Sequence, residues 1–159
     1  FKFPTVKEFE DKNIKIVYLG WFWKDWSIIN NGMYSVTNGL QVREDIARNT
    51  GDLTGVFSLD EDWVTLNQMI KYFKYGFGRA SDHVNEAIRF KTITRDEGIK
   101  LVEEFDGCCG DHYIRDFCEY IEISVDEFWE NVYKSLNKDL FEINDSGQII
   151  KKFKVDLGL

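Results

Sequence analysis

Four helix-start signals of the Ser/Thr-x-x-Glu type constrain this 159-residue chain more than any other feature. In such a box the hydroxyl accepts the N–H three residues on, and the Glu side chain reaches back to the first residue's own N–H. Helical spacing of apolar residues follows three of the boxes, which predicts a chain built mainly from short, capped α-helices. The boxes are Thr5…Glu8, Ser58…Glu61, Thr94…Glu97 and Ser124…Glu127.

The apolar residues between positions 59 and 136 predict five consecutive helices. After Ser58 they advance by steps of 4, 3, 4, 3 and 4 to Phe77, which draws one stripe along a helix. Short connections favour a compact, multi-helix domain with orthogonal or bundle-like packing. Helices without a full box are predicted over 26–36, over 82–90 with Ser81 as the cap, and over 112–122 with Asp111 as the cap.

Strand signals are few. The β-branched and aromatic run Ile14–Phe22 predicts one short, buried N-terminal strand. Leu140–Ile143 and Gln148–Phe153 flank the turn residues 144–147, which predicts a small C-terminal β-hairpin. The Gly- and Asn-containing stretch 43–57 is predicted to be a long loop, and a loop of that length inside a domain is often functional. The predicted fold class is therefore mainly α, with one strand and one hairpin.

Charge and cysteine content exclude several classes of function. With 28 acidic and 20 basic residues the net charge is −8, so the chain is a poor ligand for a phosphate backbone and we expect no nucleic acid partner. No stretch reaches the roughly 18 apolar residues of a membrane span. Cys108, Cys109 and Cys118 do not form a disulfide framework, so we expect a cytoplasmic protein. The spacing of Cys109 and His112 is one that zinc ligands can have. Structural zinc sites normally take paired ligands from two clusters, and only one such cluster occurs here, so no metal is expected.

Positive charge and glycine concentrate in the segment 71–83 of an otherwise acidic chain. Glycines that let the backbone approach a ligand, an Arg fork and the N-terminus of the next helix together suit a phosphate, pyrophosphate or carboxylate. The alternative stays open that one glycine ends a helix, the other permits a tight turn, and the cations are solvated. The candidate substrate-binding residues are Lys74, Gly76, Gly78, Arg79, Ser81 and Asp82.

Aromatic residues near the end of the predicted strand form a second candidate. Such side chains can stack on a sugar or a base, although they can equally bury the strand or mark a domain contact. Tyr18 and Trp26 are taken as the candidate aromatic contacts. Because the chain contains no G-x-S-x-G, H-E-x-x-H, phosphate-binding loop or dinucleotide fingerprint, no catalytic residue is assigned.

Several sequence blocks resemble a known family, the N-acetyl sugar amidotransferases of lipopolysaccharide O-antigen and flagellar-glycan synthesis. Residues 74–82 read K-Y-G-F-G-R-A-S-D and resemble the family's K-F-G-[FI]-G-R-A-[ST]-D block. Residues 93–99 resemble I-T-R-E-E-G-[IV], and residues 123–129 resemble I-[ST]-x-x-E-F-W. Upstream, Tyr18-Leu19-Gly20 with Trp26 resembles Y-L-G…W. The blocks occur in the family's order and cover roughly residues 14–155, which makes the resemblance more specific than a lone glycine pattern.

The resemblance implies a mechanism for a longer enzyme. There, an ATP-pyrophosphatase domain activates a sugar acetamido group, and ammonia from a partner glutaminase converts it to an acetamidino group. ATP and Mg belong to a nucleotide loop, S-G-G-K-D-S, that precedes the Y-L-G block and does not occur here. Residues 14–159 therefore resemble the family's C-terminal helical domain, with residues 1–13 as an N-terminal extension or short helix. We expect no cofactor and no activity from this chain alone.

Three hypotheses about function follow. In the first, the loop at Gly76–Asp82 contacts the anionic part of a sugar or nucleotide-sugar substrate. In the second, the chain is a helical interaction module that docks the glutaminase or mediates self-association, with no ligand site of its own. In the third, it is a free-standing helical protein. The sequence that encodes the region upstream of Phe1 would distinguish them, since S-G-G-K-D-S there would establish the enzyme.

Overall fold

The computed structural model describes residues 3–24 and 26–158. Phe1 and Lys2 of the predicted N-terminal extension therefore lie outside the described residues, as do Asp25 and Leu159. Within the described ranges the chain forms eight α-helices and one two-stranded antiparallel sheet, which confirms a mainly α fold with a C-terminal hairpin. No helix in these ranges is long and apolar enough to cross a membrane. The helices are α1 (Val6–Asp11), α2 (Ile28–Thr37), α3 (Ala47–Thr50), α4 (Val64–Tyr75), α5 (Arg79–Arg89), α6 (Arg95–Phe105), α7 (Asp111–Tyr120) and α8 (Val125–Ser135).

Side-chain caps start four of these helices. Thr5 and Thr94 each accept the N–H of the Glu three residues on, and that Glu accepts the threonine's own N–H, so both predicted boxes are confirmed. The Ser124 hydroxyl accepts the N–H of Glu127 at 3.0 Å. Ser27 caps α2, which begins two residues after its predicted start. Local capping chemistry therefore contributes to each of these starts.

The predicted helix start at Ser58 is wrong. Ser58 has a left-handed φ of 48°, and α4 begins only at Val64. Leu59, the first residue of the predicted stripe, is exposed and adds nothing to the core. The spacing of apolar residues continued across a turn here, and spacing alone carries no information about backbone dihedrals.

Two further helices begin earlier than predicted. Helix α5 starts at Arg79 with Gly78 as its N-cap, so Ser81 lies inside the first turn. Helix α7 starts at Asp111 with Gly110 as its N-cap. Glycine is tolerated at an N-cap but is a weaker signal than Ser or Asp, which is why the sequence placed both starts too late.

The predicted N-terminal strand Ile14–Phe22 is wrong. The segment contains a single 3₁₀ turn over Leu19–Trp21, and its apolar side chains Ile16 and Val17 are both exposed. A strand needs a partner to satisfy its backbone donors and acceptors. The described chain offers none, because β1 (Phe141–Ile143) and β2 (Ile149–Lys151) pair with each other.

The main core lies between α4, α7 and α8. The free thiol of Cys118 is buried there. The β1–β2 hairpin closes one end, where Phe141 packs edge-on against Tyr72 with ring centroids 5.1 Å apart. The turn between its strands is closed by the Asn144 N–H, which donates to the carbonyl of Gln148 at 3.0 Å. The buried members of the core are Leu66, Met69, Tyr113, Ile114, Cys118, Phe128 and Val132.

A second packing unit joins α2, α5 and α6. Helix α6 approaches α5 closely at Gly98, where an added Cβ would lie 2.7 Å from a methyl carbon of Val84. The Ile28 N–H at the start of α2 donates to the Glu86 carboxylate of α5 at 2.9 Å. A carboxylate at a helix N-terminus is stabilising, so this bond fixes α2 on α5. Helix α5 therefore connects the predicted anion-binding loop at Gly76–Asp82 to α2 and α6.

Candidate functional site

The predicted anion-binding segment is the junction between α4 and α5. Gly76 ends α4 with a left-handed φ of 80°, and its N–H donates to the Tyr72 carbonyl at 2.7 Å. This is the helix-ending glycine that one of the two sequence interpretations described. Gly78 is buried and starts α5. The two glycines thus connect the end of α4 to the start of α5 within three residues.

The N-terminus of α5 already holds a carboxylate, that of Asp106 at the end of α6. Asp106 Oδ2 accepts the Gly78 N–H at 2.8 Å and the Ser81 hydroxyl at 2.7 Å, and Oδ1 accepts the Ser81 N–H at 3.2 Å. A Cβ on Gly78 would lie 2.9 Å from Asp106 Oδ1, so glycine is what admits the carboxylate. The helix N-terminus does bind an anion, and that anion belongs to the chain itself.

Two of the three cations of the segment, Lys71 and Arg79, converge on Asp82. Lys71 Nζ lies 2.8 Å from Asp82 Oδ2, and Arg79 Nη1 lies 3.8 Å from the same oxygen. The Arg79 guanidinium carbon also lies 3.5 Å from the centre of the Phe57 ring, and its side chain is only 10% exposed. Burial lowers the pKa of Arg79, while Asp82 opposes that shift, so the guanidinium stays charged. Lys71 and Arg79 thus both form ion pairs with Asp82 within the folded chain.

All six predicted binding residues lie at this one junction. Lys74 is exposed on the last turn of α4, where its main-chain carbonyl accepts the Asn137 amide at 3.2 Å. Tyr18 and Trp26, the predicted aromatic contacts, are both exposed in the segment that precedes α2. Trp26 lies against Gly20, whose added Cβ would be 3.4 Å from the indole ring. Binding of a ligand by either set stays a prediction.

Sequence reasoning missed two residues beside this junction, His83 and Asp52. His83 lies one turn after Arg79 on α5 and is 2% exposed. Its Nδ1 lies 3.4 Å from Asp52 Oδ1. The only available signal was the D-x-T pattern at Asp52, because Asp and Thr two residues apart often form a local turn. Here both the N–H and the hydroxyl of Thr54 donate to Asp52 Oδ1 at 2.7 Å, which fixes the carboxylate.

Burial sets the charge state of His83. Desolvation lowers its pKa below the ordinary 6.5, Asp52 opposes that shift, and Arg79 reinforces it. The imidazole is therefore neutral at pH 7. A neighbouring carboxylate favours the tautomer that carries its proton on Nδ1, which leaves Nε2 as a hydrogen-bond acceptor.

The lowered pKa of His83 predicts a loss of stability as the pH falls below about 6.5. In that range the unfolded chain takes up a proton that the folded chain resists, so the unfolding free energy decreases until the pH reaches the folded-state pKa. We expect urea denaturation between about pH 7.5 and pH 5 to show this slope, above the range near pH 4 where carboxylates titrate. The His83→Gln variant should show a smaller slope, and an unchanged slope would contradict the assignment.

The family comparison assigns this helical domain to a class, that of lipopolysaccharide biosynthesis proteins. Residues 50–154 match the family model described as "LPS biosynthesis protein WbpG-like, C-terminal domain", and the chain belongs to this family. No curated protein and no solved structure matches the chain. The matched stretch contains the α4–α5 junction, Asp52, His83 and Asp106, whereas the Tyr18–Trp26 block lies before it.

Proposed function

We propose that this chain is the substrate-binding or assembly domain of an ATP-dependent amidotransferase. The reaction would convert a sugar acetamido group to an acetamidino group with ammonia from a partner glutaminase, in lipopolysaccharide or surface-glycan biosynthesis. The observation that carries the proposal is the K-Y-G-F-G-R-A-S-D block at 74–82, which lies inside the family match. The resemblance of the blocks at 93–99 and 123–129 supports it, since both also lie in the matched stretch.

Within this proposal, the α4–α5 junction contacts the anionic part of the sugar or nucleotide-sugar substrate. Lys74 is exposed and would meet the anion directly. Arg79 would share its charge between Asp82 and the ligand, because its 3.8 Å distance to Asp82 is longer than a close ion pair. Gly76, Gly78 and Ser81 would keep the backbone in place.

ATP and Mg fit poorly to the residues of this chain. A nucleotide phosphate at the N-terminus of α5 would meet the Asp106 carboxylate, which already accepts the donors of Gly78 and Ser81. In residues 3–24 and 26–158 no group of three His, Cys, Asp or Glu side chains could hold a metal ion. We therefore assign no step of nucleotide chemistry to this domain, and the resemblance assigns ATP to the preceding part of the longer enzyme.

The Lys74→Ala substitution in the longer enzyme tests the proposed contact. Loss of one charge-assisted hydrogen bond should lower kcat/KM for amidine formation by about tenfold or more. The melting temperature should change little, because Lys74 is exposed. Lys134→Ala is the matched control, since Lys134 is exposed in the last turn of α8 as Lys74 is in that of α4. Equal turnover of the two variants would remove Lys74 from the site.

A second candidate function is docking of the glutaminase or of a second copy through the segment that precedes α2. Trp21 is 89% exposed and Phe22 is 79% exposed, and α1 buries none of its side chains against the domain. Exposed apolar patches of this kind often mark interaction surfaces. Light scattering with and without the glutaminase should detect a complex that the Trp21→Ser/Phe22→Ser variant loses and the Tyr34→Ser control keeps. A pure docking module should bind neither a UDP-sugar nor ATP.

A further inference from the structure

Arg79 is a largely buried cation whose guanidinium makes no hydrogen bond within the described part of the chain. Its side chain is 10% exposed, and the nearest described carboxylate oxygen, Asp82 Oδ2, lies 3.8 Å from Nη1. That distance is longer than the usual 2.7–3.2 Å of an N–H···O bond. A guanidinium carries five N–H donors, and bonds from charged donors are stronger than those from neutral ones. Arg79 therefore has donors available for a ligand.

The Phe57 ring holds the guanidinium in a fixed plane. The guanidinium carbon lies 3.5 Å from the centre of that ring, which is a stacked cation–π contact. Phe57 is itself held, because its N–H donates to Asp52 Oδ2 at 3.3 Å while Asp52 Oδ1 accepts the Thr54 N–H at 2.7 Å. The donors of a guanidinium point outward in its own plane, so the stacked ring leaves them unobstructed. The segment 52–57 thus orients Arg79 before any ligand arrives.

Solvent reaches these donors. In residues 3–24 and 26–158, the side-chain atoms that are both fully buried and unpaired are Gln68 Oε1, Glu86 Oε2 and the two ring nitrogens of His83. No nitrogen of Arg79 is among them, although none makes a hydrogen bond, so these nitrogens retain accessible surface. A ligand can therefore contact the guanidinium of Arg79.

The charge around Arg79 is already balanced. Burial lowers the pKa of Arg79, and the charges of Asp82 and Asp52 oppose that shift. Burial raises the pKa of Asp52, but hydrogen bonds from Thr54 help to bring it below its ordinary value, so Asp52 is ionised at pH 7. Lys71 and Arg79 thus face two carboxylates. A further anion at Arg79 would be repelled by as many charges as attract it, whereas an uncharged acceptor would not be repelled.

An amide carbonyl is the uncharged acceptor that suits these donors best. Its oxygen has two lone pairs and brings no proton, whereas a hydroxyl carries a proton that needs an acceptor of its own. Two N–H groups of one guanidinium can converge on such an oxygen. The acetamido group of the proposed sugar substrate contains this carbonyl.

We propose that Arg79, oriented by Phe57, donates hydrogen bonds to the carbonyl oxygen of the sugar's acetamido group. The inference rests on the proposed function and adds to it, since it assigns the group that reacts to Arg79 and leaves the anionic part of the substrate to Lys74. Arg79 is then the residue that distinguishes an acetamido sugar from one with a hydroxyl at the same carbon.

Three methyl glycosides with the same ring test the contact on the 159-residue chain. Methyl β-N-acetylglucosaminide has an acetamido group where methyl β-glucoside has a hydroxyl, and methyl β-glucuronide has a carboxylate in place of the glucoside's hydroxymethyl group. NMR titration followed at the Ala80 amide and the Arg79 Nε–H should show about tenfold tighter binding of the N-acetylglucosaminide than of the glucoside, the factor for one net hydrogen bond. The glucuronide should bind no more tightly than the glucoside. Equal affinities of the first two, tighter binding of the glucuronide, or no saturable shift would overturn the proposal.

Variants assign this preference to its residues. Folded Arg79→Leu should bind the N-acetylglucosaminide and the glucoside equally, whereas Arg89→Leu, which removes an exposed arginine from the last turn of α5, should keep the preference. Phe57→Leu keeps an apolar side chain without the flat face and should lower the preference, and Phe57→Tyr should restore it. A tenfold preference that persists in Arg79→Leu would refute the contact, and one that persists in Phe57→Leu would refute the orienting role.

The failure of this inference differs from the failure of the proposed function. If Lys74→Ala lowers amidine formation in the longer enzyme but the chain shows no preference for the N-acetylglucosaminide, the function stands and the Arg79 contact is refuted. If the preference is found and disappears in Arg79→Leu, but the longer enzyme forms no amidine, the contact stands and the function is refuted.

Discussion

The Asp106→Ala substitution should lower the free energy of unfolding by about 3 kcal/mol, one of the largest losses expected from a single change in this chain. Three donors, the N–H groups of Gly78 and Ser81 and the Ser81 hydroxyl, lose their acceptor together. All three lie at a half-buried helix N-terminus, where a negative charge is also favoured by the helix dipole. Urea denaturation followed by circular dichroism at pH 7 measures the loss.

The control for this prediction is Asp116→Ala, which removes an exposed carboxylate from α7 and should change stability by less than about 0.5 kcal/mol. Asp106→Asn should lie between the two, because its amide oxygen can still accept one of the bonds. Inorganic sulfate should stabilise the Asp106→Ala variant more than the control, since it can occupy the vacated donors. Equal stability of the two alanine variants would contradict the capping role of Asp106.

Local signals in the sequence were sufficient for much of the fold. The boxes at Thr5 and Thr94 act within four residues, and both are present in the structure. The hairpin turn at 144–147 is equally local. The strand predicted over Ile14–Phe22 failed because a strand depends on a partner elsewhere in the chain, which composition cannot provide. The start at Ser58 failed because the left-handed backbone of that residue leaves no mark on apolar spacing.

The site was predictable only in part, because its contacts are long-range. The sequence indicated an anion at the N-terminus of α5, but the carboxylate that lies there comes from Asp106, 25 residues after Ser81. Likewise, Asp52 and His83 are 31 positions apart, and no sequence pattern at either position predicts their contact. A cavity of about 510 Å³ beside His83 is lined by residues of α2, α5, α6 and the segments 42–56 and 92–93, so no single stretch of sequence could reveal it.

Substitutions at Gly98 should have the second large effect, because α6 contacts α5 there without room for a side chain. An added Cβ would lie 2.7 Å from Val84 Cγ1 and 2.9 Å from Ile88 Cδ1. Alanine gains about 1 kcal/mol of helix propensity over glycine, but the forced separation of the helices costs about 1–3 kcal/mol. We expect Gly98→Ala to destabilise slightly and Gly98→Val to cost about 3 kcal/mol, since valine adds two further methyl groups and is β-branched.

A double-mutant cycle separates this steric effect from a loss of helix propensity. Val84→Ala alone should destabilise by about 2 kcal/mol because it opens a cavity in a buried contact. It also removes the methyl group that clashes with residue 98, so Gly98→Ala should cost less in the Val84→Ala background than in the native one. Additive effects within about 0.3–0.5 kcal/mol would show that the two side chains do not compete for the same space.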